Sequence, residues 1–325
     1  MKLAQKIKVS EWLSSEEIKE LMKLSNIKAL LEIFHTWGWI SFAFIISALW
    51  PNPAVIIISL FILGGKQLAC AIILHDCAHY ALFKSKQLNI VFGNLFGAYP
   101  IFHNINDYRP YHLDHHNHTG QENDPDLNLT IGYPTTTWSM FRKIFRDLSG
   151  LTGIKSFFGL IAMHIGLLKY TLSGTVIKDK NKRNLISSII YSIKNLAGPI
   201  LTNAGIWGIL YLSGYAWLYF LWIGAHLTTY NLSLRIRSIA EHSVVPDQLN
   251  NYTNVRTTYV NIFEQILFAP HNVNYHAEHH LLMTVPSYNL PKMHKLLKSK
   301  GFYNKGLIKN SYSEILRLTI SKYEA

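Results

Sequence analysis

The sequence holds only two cysteines, Cys70 and Cys77, too few for a disulfide framework or for the cysteine array that carries an iron–sulfur cluster. Charge is scarce as well: 15% of residues are charged, below the roughly 25% usual in soluble domains. That shortage excludes an ordinary hydrated surface over the whole chain. Low-complexity tracts and internal repeats are absent, and no early apolar run precedes a small-residue cleavage site, so no removable signal peptide is expected. Acidic residues number 19 against 31 basic ones, a net charge of +12. The basic residues are spread over several segments, which fits anionic lipid headgroups better than nucleic acid, and no nucleic-acid partner is expected.

In place of charge the chain has apolar sequence, 49% of residues, concentrated in the stretches 36–50, 54–74, 196–212 and 216–234. With flanks and tilt, each can cross a hydrocarbon core of about 30 Å. The expected fold is an all-α integral membrane protein, a single domain over 1–325, with four transmembrane helices in two hairpins. The hairpin joints, Pro51-Asn52-Pro53 and Ser213-Gly214-Tyr215, contain no Lys or Arg, whereas Lys2, Lys6, Arg142, Lys143, Lys295 and Lys298 lie outside the hairpins. The positive-inside bias then places 75–155 and 235–325 on the cytoplasmic face. A shorter apolar stretch, 157–168, is expected to be an interfacial helix, and 14–34 a surface helix opened by a Ser14/Glu17 capping box. Lys66, inside the second stretch, requires a path to water or a polar neighbour.

Three histidine clusters carry the chemistry: HDCAH at 75–79, HLDHH at 112–116 and HAEHH at 276–280. Residues three and four apart are neighbours on a helix, so each cluster stacks its imidazoles into a stripe. A single pair of this kind is more often a packed or surface pair. Repetition at the same spacing in His75/His79, His112/His115/His116 and His276/His279/His280 points to metal ligation, for which neutral imidazole suits iron, copper and zinc. Asp124 and Asp126 are candidates for hydrogen bonds to imidazole N–H groups, with loop capping as the alternative. Asn272 is placed to hold a metal-bound water or orient a ligand, or alternatively to cap a helix. Asp114 and Glu278 sit off the stripes and are not expected to ligate; Cys77 is expected to pack. Glu32/His35 is the one Glu-x-x-His pair, remote from the clusters, which disfavours a soluble carboxylate di-iron bundle.

These clusters, with DPDL at 124–127, NVNYHAEHH at 272–280 and VPSYNLP at 285–291, resemble the membrane fatty acid desaturase and hydroxylase superfamily over nearly the whole chain. The resemblance implies a non-haem di-iron centre with dioxygen as co-substrate, and a further histidine just after the fourth span, which nominates His242 in RIRSIAEH. It implies fatty-acyl desaturation, with lipid or carotenoid hydroxylation or ketolation on the same scaffold as the alternative. Electrons must come from a separate donor, a ferredoxin, rubredoxin or b-type cytochrome, since no haem or iron–sulfur module is recognisable here. A histidine-rich zinc transporter or store is the rival of a different class. Against it, the clusters lie outside the apolar stretches, and His226 alone is well inside one, where packing with a hydrogen bond is expected.

Overall fold

The computed structural model describes residues 7–320, so Lys2 and Lys6 lie outside the described residues. The architecture is helical, with one small parallel pairing of Arg256–Thr258 against Leu307–Lys309. Among the described residues, three helices are long and apolar enough to cross a membrane: Asn26–Leu49, Pro53–Ala78 and Leu185–Leu212. The first two form an antiparallel hairpin around the Pro51-Asn52 joint. Asn52 accepts from the Val55 amide and Pro53 opens the next helix, the arrangement that satisfies an orphan N-terminal donor. Only 11% of the most apolar window of Leu185–Leu212 is buried, which leaves its sides available to lipid.

Three expectations about boundaries are corrected. The 14–34 segment is not one surface helix: Ser15–Leu21 ends early, and a new helix starts at Asn26 and runs unbroken through the first apolar stretch. The Ser25 hydroxyl caps this second start by accepting from the Lys28 amide, while the Ser25 amide is held by the Tyr288 hydroxyl. The fourth apolar stretch is interrupted: Leu218–Leu227 and Thr229–His242 are separate helices meeting at Thr228, whose φ of −119° and ψ of −88° are non-helical. The segment expected at the interface lies in the helix Leu151–His164, which ends four residues before the expected boundary of 168.

Glycine decides how closely these helices meet. A Cβ on Gly153 would lie 2.2 Å from the Leu227 carbonyl oxygen and 2.5 Å from its Cα, so Leu151–His164 packs directly on the backbone at the break. On Gly64 a Cβ would lie 2.7 Å from the Thr229 carbonyl carbon, and the Thr229 hydroxyl donates to the Leu60 carbonyl. Pro53–Ala78 is therefore the central strut, in contact with the first helix on one side and with Thr229–His242 on the other. Lys66 is buried on this strut with its ammonium 5.6 Å from the Trp39 ring centroid, an aromatic face serving as the polar neighbour. Cys70 and Cys77 are buried free thiols.

A second tie crosses the same region. Asp147, at the end of Thr137–Leu148, is fully buried and takes both Arg235 Nε and Nη2, the latter at 2.8 Å. Gly153→Ala should destabilise the protein by about 1–3 kcal/mol through overpacking against backbone that cannot move aside. Thermal unfolding in detergent checks this, with Gly38→Ala, where nothing lies within 4 Å of the added Cβ, expected to unfold at or above the wild-type temperature.

Candidate metal centre

The first histidine cluster sits at the end of the central strut. His75 occupies the last turn of Pro53–Ala78 and His79 is its C-cap. Tyr80, at φ 56°, closes the helix: its amide donates to the Cys77 carbonyl and the Ala81 amide to the Asp76 carbonyl, the paired bonds of a Schellman ending. The second cluster lies on Ile105–His118, capped by Asn104, and the third forms the short helix His276–Leu281. His242 is the last residue of Thr229–His242.

These four termini converge. Nitrogens of His75, His79, His112, His116 and His279 lie within 4.8 Å of one another, as do those of His115, His242 and His280. His276 joins the second group, its Nε2 lying 2.8 Å from His242 Nε2. The two poles adjoin at His116 and His280, whose ring centroids are 4.4 Å apart. An i, i+4 offset turns only about 40° around a helix, whereas the i+3 and i+4 positions diverge by about 100°. His75/His79 and His112/His116 accordingly share the first pole and His276/His280 the second, while His115 and His279 each turn to the opposite one.

Protein partners do not satisfy this arrangement. His116 Nε2 lies 3.0 Å from both His112 Nε2 and His279 Nε2, and a neutral imidazole has a single N–H to share among them. His75 Nε2, His79 Nε2 and His280 Nε2 are buried without any hydrogen-bond partner; His276 Nδ1, on the Glu241 side of its ring, is likewise unpaired. Burial, reinforced by neighbouring imidazoles, holds His112, His116, His279 and His280 well below the ordinary histidine range. Neutral rings with inward, unpaired nitrogens are the donor set a cation requires.

Carboxylates hold the outer edges of the rings. Asp76 Oδ1 lies 2.8 Å from His75 Nδ1, and its other oxygen accepts from the Ser287 amide at 3.3 Å. Asp124 Oδ1 lies 2.8 Å from His115 Nδ1 and also accepts from the Asp126 amide, so it both orients the ring and caps its loop. Asp126 stands 3.8 Å from the same nitrogen and takes the Tyr111 hydroxyl. Burial pushes His115 down, but the Asp124 hydrogen bond and the charge of Asp126 outweigh it and leave the ring above its ordinary value. Glu241, beside His242, lies 3.5 Å from His276 Nδ1 and is paired with Arg237 at 2.7 Å. Burial raises its carboxyl to about 7 against the pull of Arg237.

The remaining candidates fall outside the two poles. Asn272 donates to the Ser287 carbonyl and does not cap the His276 helix, whose start has no side-chain cap. Asp114 pairs with His118, and Glu278 turns away to Thr257, His294 and Tyr303. His271 bonds Thr36, His103 bonds Tyr170, and Glu32 accepts from Ser287. His226 stacks on Tyr230 as a packed ring, yet its Nδ1 has no hydrogen bond, contrary to expectation. Asp76 and Glu241 are additions to the sequence reading. Their adjacency to box histidines is the one local signal, since their partners come from distant segments.

A cavity of about 520 Å³ reaches this centre. His112, His115, His242 and His276 line it, with Ala71, Leu74, Tyr108, Phe157, Leu160 and Tyr230 along its walls.

The sequence also matches a family model, fatty acid desaturase, over residues 48–309. Among curated proteins it is 27% identical to the sn-1 oleoyl-lipid 12-desaturase of Synechocystis over 69% of this chain, an alignment that spans 63% of that relative's length. It is 26% identical to the dihydrorhizobitoxine desaturase of Bradyrhizobium elkanii, covering 79% of this chain and 70% of the relative. The chloroplastic omega-6 fatty acid desaturase of Arabidopsis thaliana matches at 21% identity over 86% of the chain and 61% of its own length. With its histidine clusters gathered beside an apolar cavity and the family model covering most of its length, the chain belongs to the fatty acid desaturase family.

Proposed function

We propose that this chain is a membrane oxidoreductase that uses dioxygen to insert a double bond into a fatty-acyl chain of a lipid. The observation that carries the reading is the meeting of two unsatisfied imidazole poles at an apolar cavity of about 520 Å³. His75, His79, His112, His116 and His279 would hold one iron, and His115, His242, His276 and His280 the other. When bound, the iron pair supplies the capacity to activate dioxygen and oxidise an unactivated C–H bond.

The protein's own residues do the rest. Leu74, Tyr108, Leu160 and Phe157 provide walls against which an acyl chain is held extended and dry. Holding one methylene beside the centre replaces a rare encounter with a fixed geometry, and small displacements there change rate strongly. Asp76 and Asp124 fix the rotation of His75 and His115, so the inward nitrogens keep their aim. The printed names of the relatives, desaturases in each case, favour a double bond over an alcohol or ketone.

The proposed topology has four crossings in two hairpins, with Leu218–Leu227 and the start of Thr229–His242 together making the fourth around the Thr228 break. The boxes then share the cytoplasmic face with the basic segments, in a single domain whose metal-binding part comprises 75–155 and 235–325. Electrons arrive from a separate carrier, a ferredoxin, rubredoxin or b-type cytochrome, drawn to that basic face.

Lipid profiling of cells expressing the wild-type protein with a compatible donor should reveal new unsaturated acyl chains that His276→Ala abolishes. Hydroxylated or keto products would replace the desaturase reading with its nearest relative on this scaffold, and metal-dependent zinc flux without oxidised lipid would end it. Purified His116→Ala, which removes the ring standing between the poles, should retain about half or less of the wild-type iron by elemental analysis. Asp124→Ala should lower iron affinity or turnover about 10–100-fold. Asp114→Ala, whose carboxylate is more than half exposed and serves only His118, should leave both within about twofold.

A further inference from the structure

The cavity lining includes polar groups that the oxidation of a methylene does not use. Arg146 and Lys155 are among them, both exposed, and among the described residues neither has a carboxylate within ion-pair distance. By contrast, the neighbouring Arg235, also on the wall, is neutralised by Asp147. Facing the same space is a chain of hydroxyls: Thr171 Oγ1 lies 2.9 Å from Ser173 Oγ, which lies 2.9 Å from Thr175 Oγ1, which accepts from Asn128 Nδ2 at 2.8 Å. All four of these residues line the cavity.

The surface beside Arg146 and Lys155 is apolar. Trp138, Phe141, Phe145 and Leu148 recur at helical spacing along Thr137–Leu148 and are exposed, with Trp138 at 64% and Phe145 at 60%. Leu151 and Phe158 continue the patch on the next helix, exposed at 59% and 67%. An apolar stripe interleaved with Arg142 and Arg146 is the pattern of a helix lying in a membrane interface, its cations at headgroup level. Leu151 belongs both to the exposed patch and to the cavity lining, so the cavity opens where the bilayer surface would be.

We infer that the cavity contains a headgroup subsite: Arg146 and Lys155 bind the phosphate of an anionic glycerophospholipid, whose acyl chain runs inward past Leu160 to the imidazole poles. The inference rests on the acyl-desaturase reading and names the substrate within it. Two unpaired cations select net negative charge, and the Thr171–Ser173–Thr175 hydroxyls offer partners to glycerol and phosphate oxygens. A soluble acyl thioester presents phosphates too, but it has no use for the aromatic stripe that brings the opening to the membrane.

Binding can be measured apart from oxidation by native mass spectrometry of the purified full chain in detergent. The wild type should bind dioleoylphosphatidylglycerol about tenfold more tightly than dioleoylphosphatidylcholine, and Arg146→Ala/Lys155→Ala should reduce that preference to about twofold or less. Lys292→Ala/Lys295→Ala, which removes as much charge away from the cavity, should keep it. Equal wild-type affinity for the two lipids, or a preference that survives loss of Arg146 and Lys155, overturns the subsite. Oleoyl-coenzyme A binding more tightly than the phospholipid through the same two cations overturns the lipid assignment. A second measurement separates this inference from the reading beneath it: new double bonds appearing equally in anionic and zwitterionic phospholipids refute the subsite alone. A phosphatidylglycerol preference with no oxidised chain in any lipid class refutes the desaturase.

Discussion

The structure depends on one unfavourable condition, the gathering of nine imidazoles, six buried and His116, His242 and His280 half-buried, with their ring nitrogens close to one another. Each buried nitrogen without a partner costs on the order of 1–3 kcal/mol. His75, His79 and His280 each carry one at Nε2. A cation in each pole removes the penalty at the rings it binds, so the cluster is a poor core and a good ligand cage. The surrounding fold is organised to tolerate it. Asp76, Asp124 and Glu241 occupy outer nitrogens or stand close to them, and the helices that bring the rings are held by backbone contacts that leave little slack.

That rigidity has identifiable sources. Gly64 lets the central helix touch Thr229, and Gly153 lets Leu151–His164 touch Leu227, on either side of the non-helical Thr228. The break redirects the chain so that Thr229–His242 delivers His242 to the second pole while Leu218–Leu227 supplies His226 to the cavity wall. A straight helix through 216–234 would have used its residues to cross the bilayer with no turn toward the centre. The same junction thus shapes the cavity and completes the ligand set.

Much of this was legible locally. The helical character of the histidine clusters and the Ser14/Glu17 capping box follow from short-range rules, and each is present. Where short-range rules erred, a long-range contact had intervened. Tyr288, far along the chain, holds Ser25 and restarts a helix that periodicity carried straight through. Glu278 looks equivalent to Asp76 in the sequence, each lying inside a box, yet one is drawn to His294 and Tyr303 and the other to His75.

Helical periodicity alone therefore determined which imidazoles share a face, because a turn of about 3.6 residues aligns i with i+4 wherever the helix is placed. Composition likewise determined that long segments belong in lipid, because transfer of apolar surface depends on the residues and not on their arrangement. Which histidine faces meet to form each pole, which carboxylates stand behind the rings, and where the cavity opens were decided by tertiary structure. Those features are distances between segments separated by many tens of residues, and a hydrogen bond or a packed backbone fixes such a distance only after the intervening helices have been laid against one another.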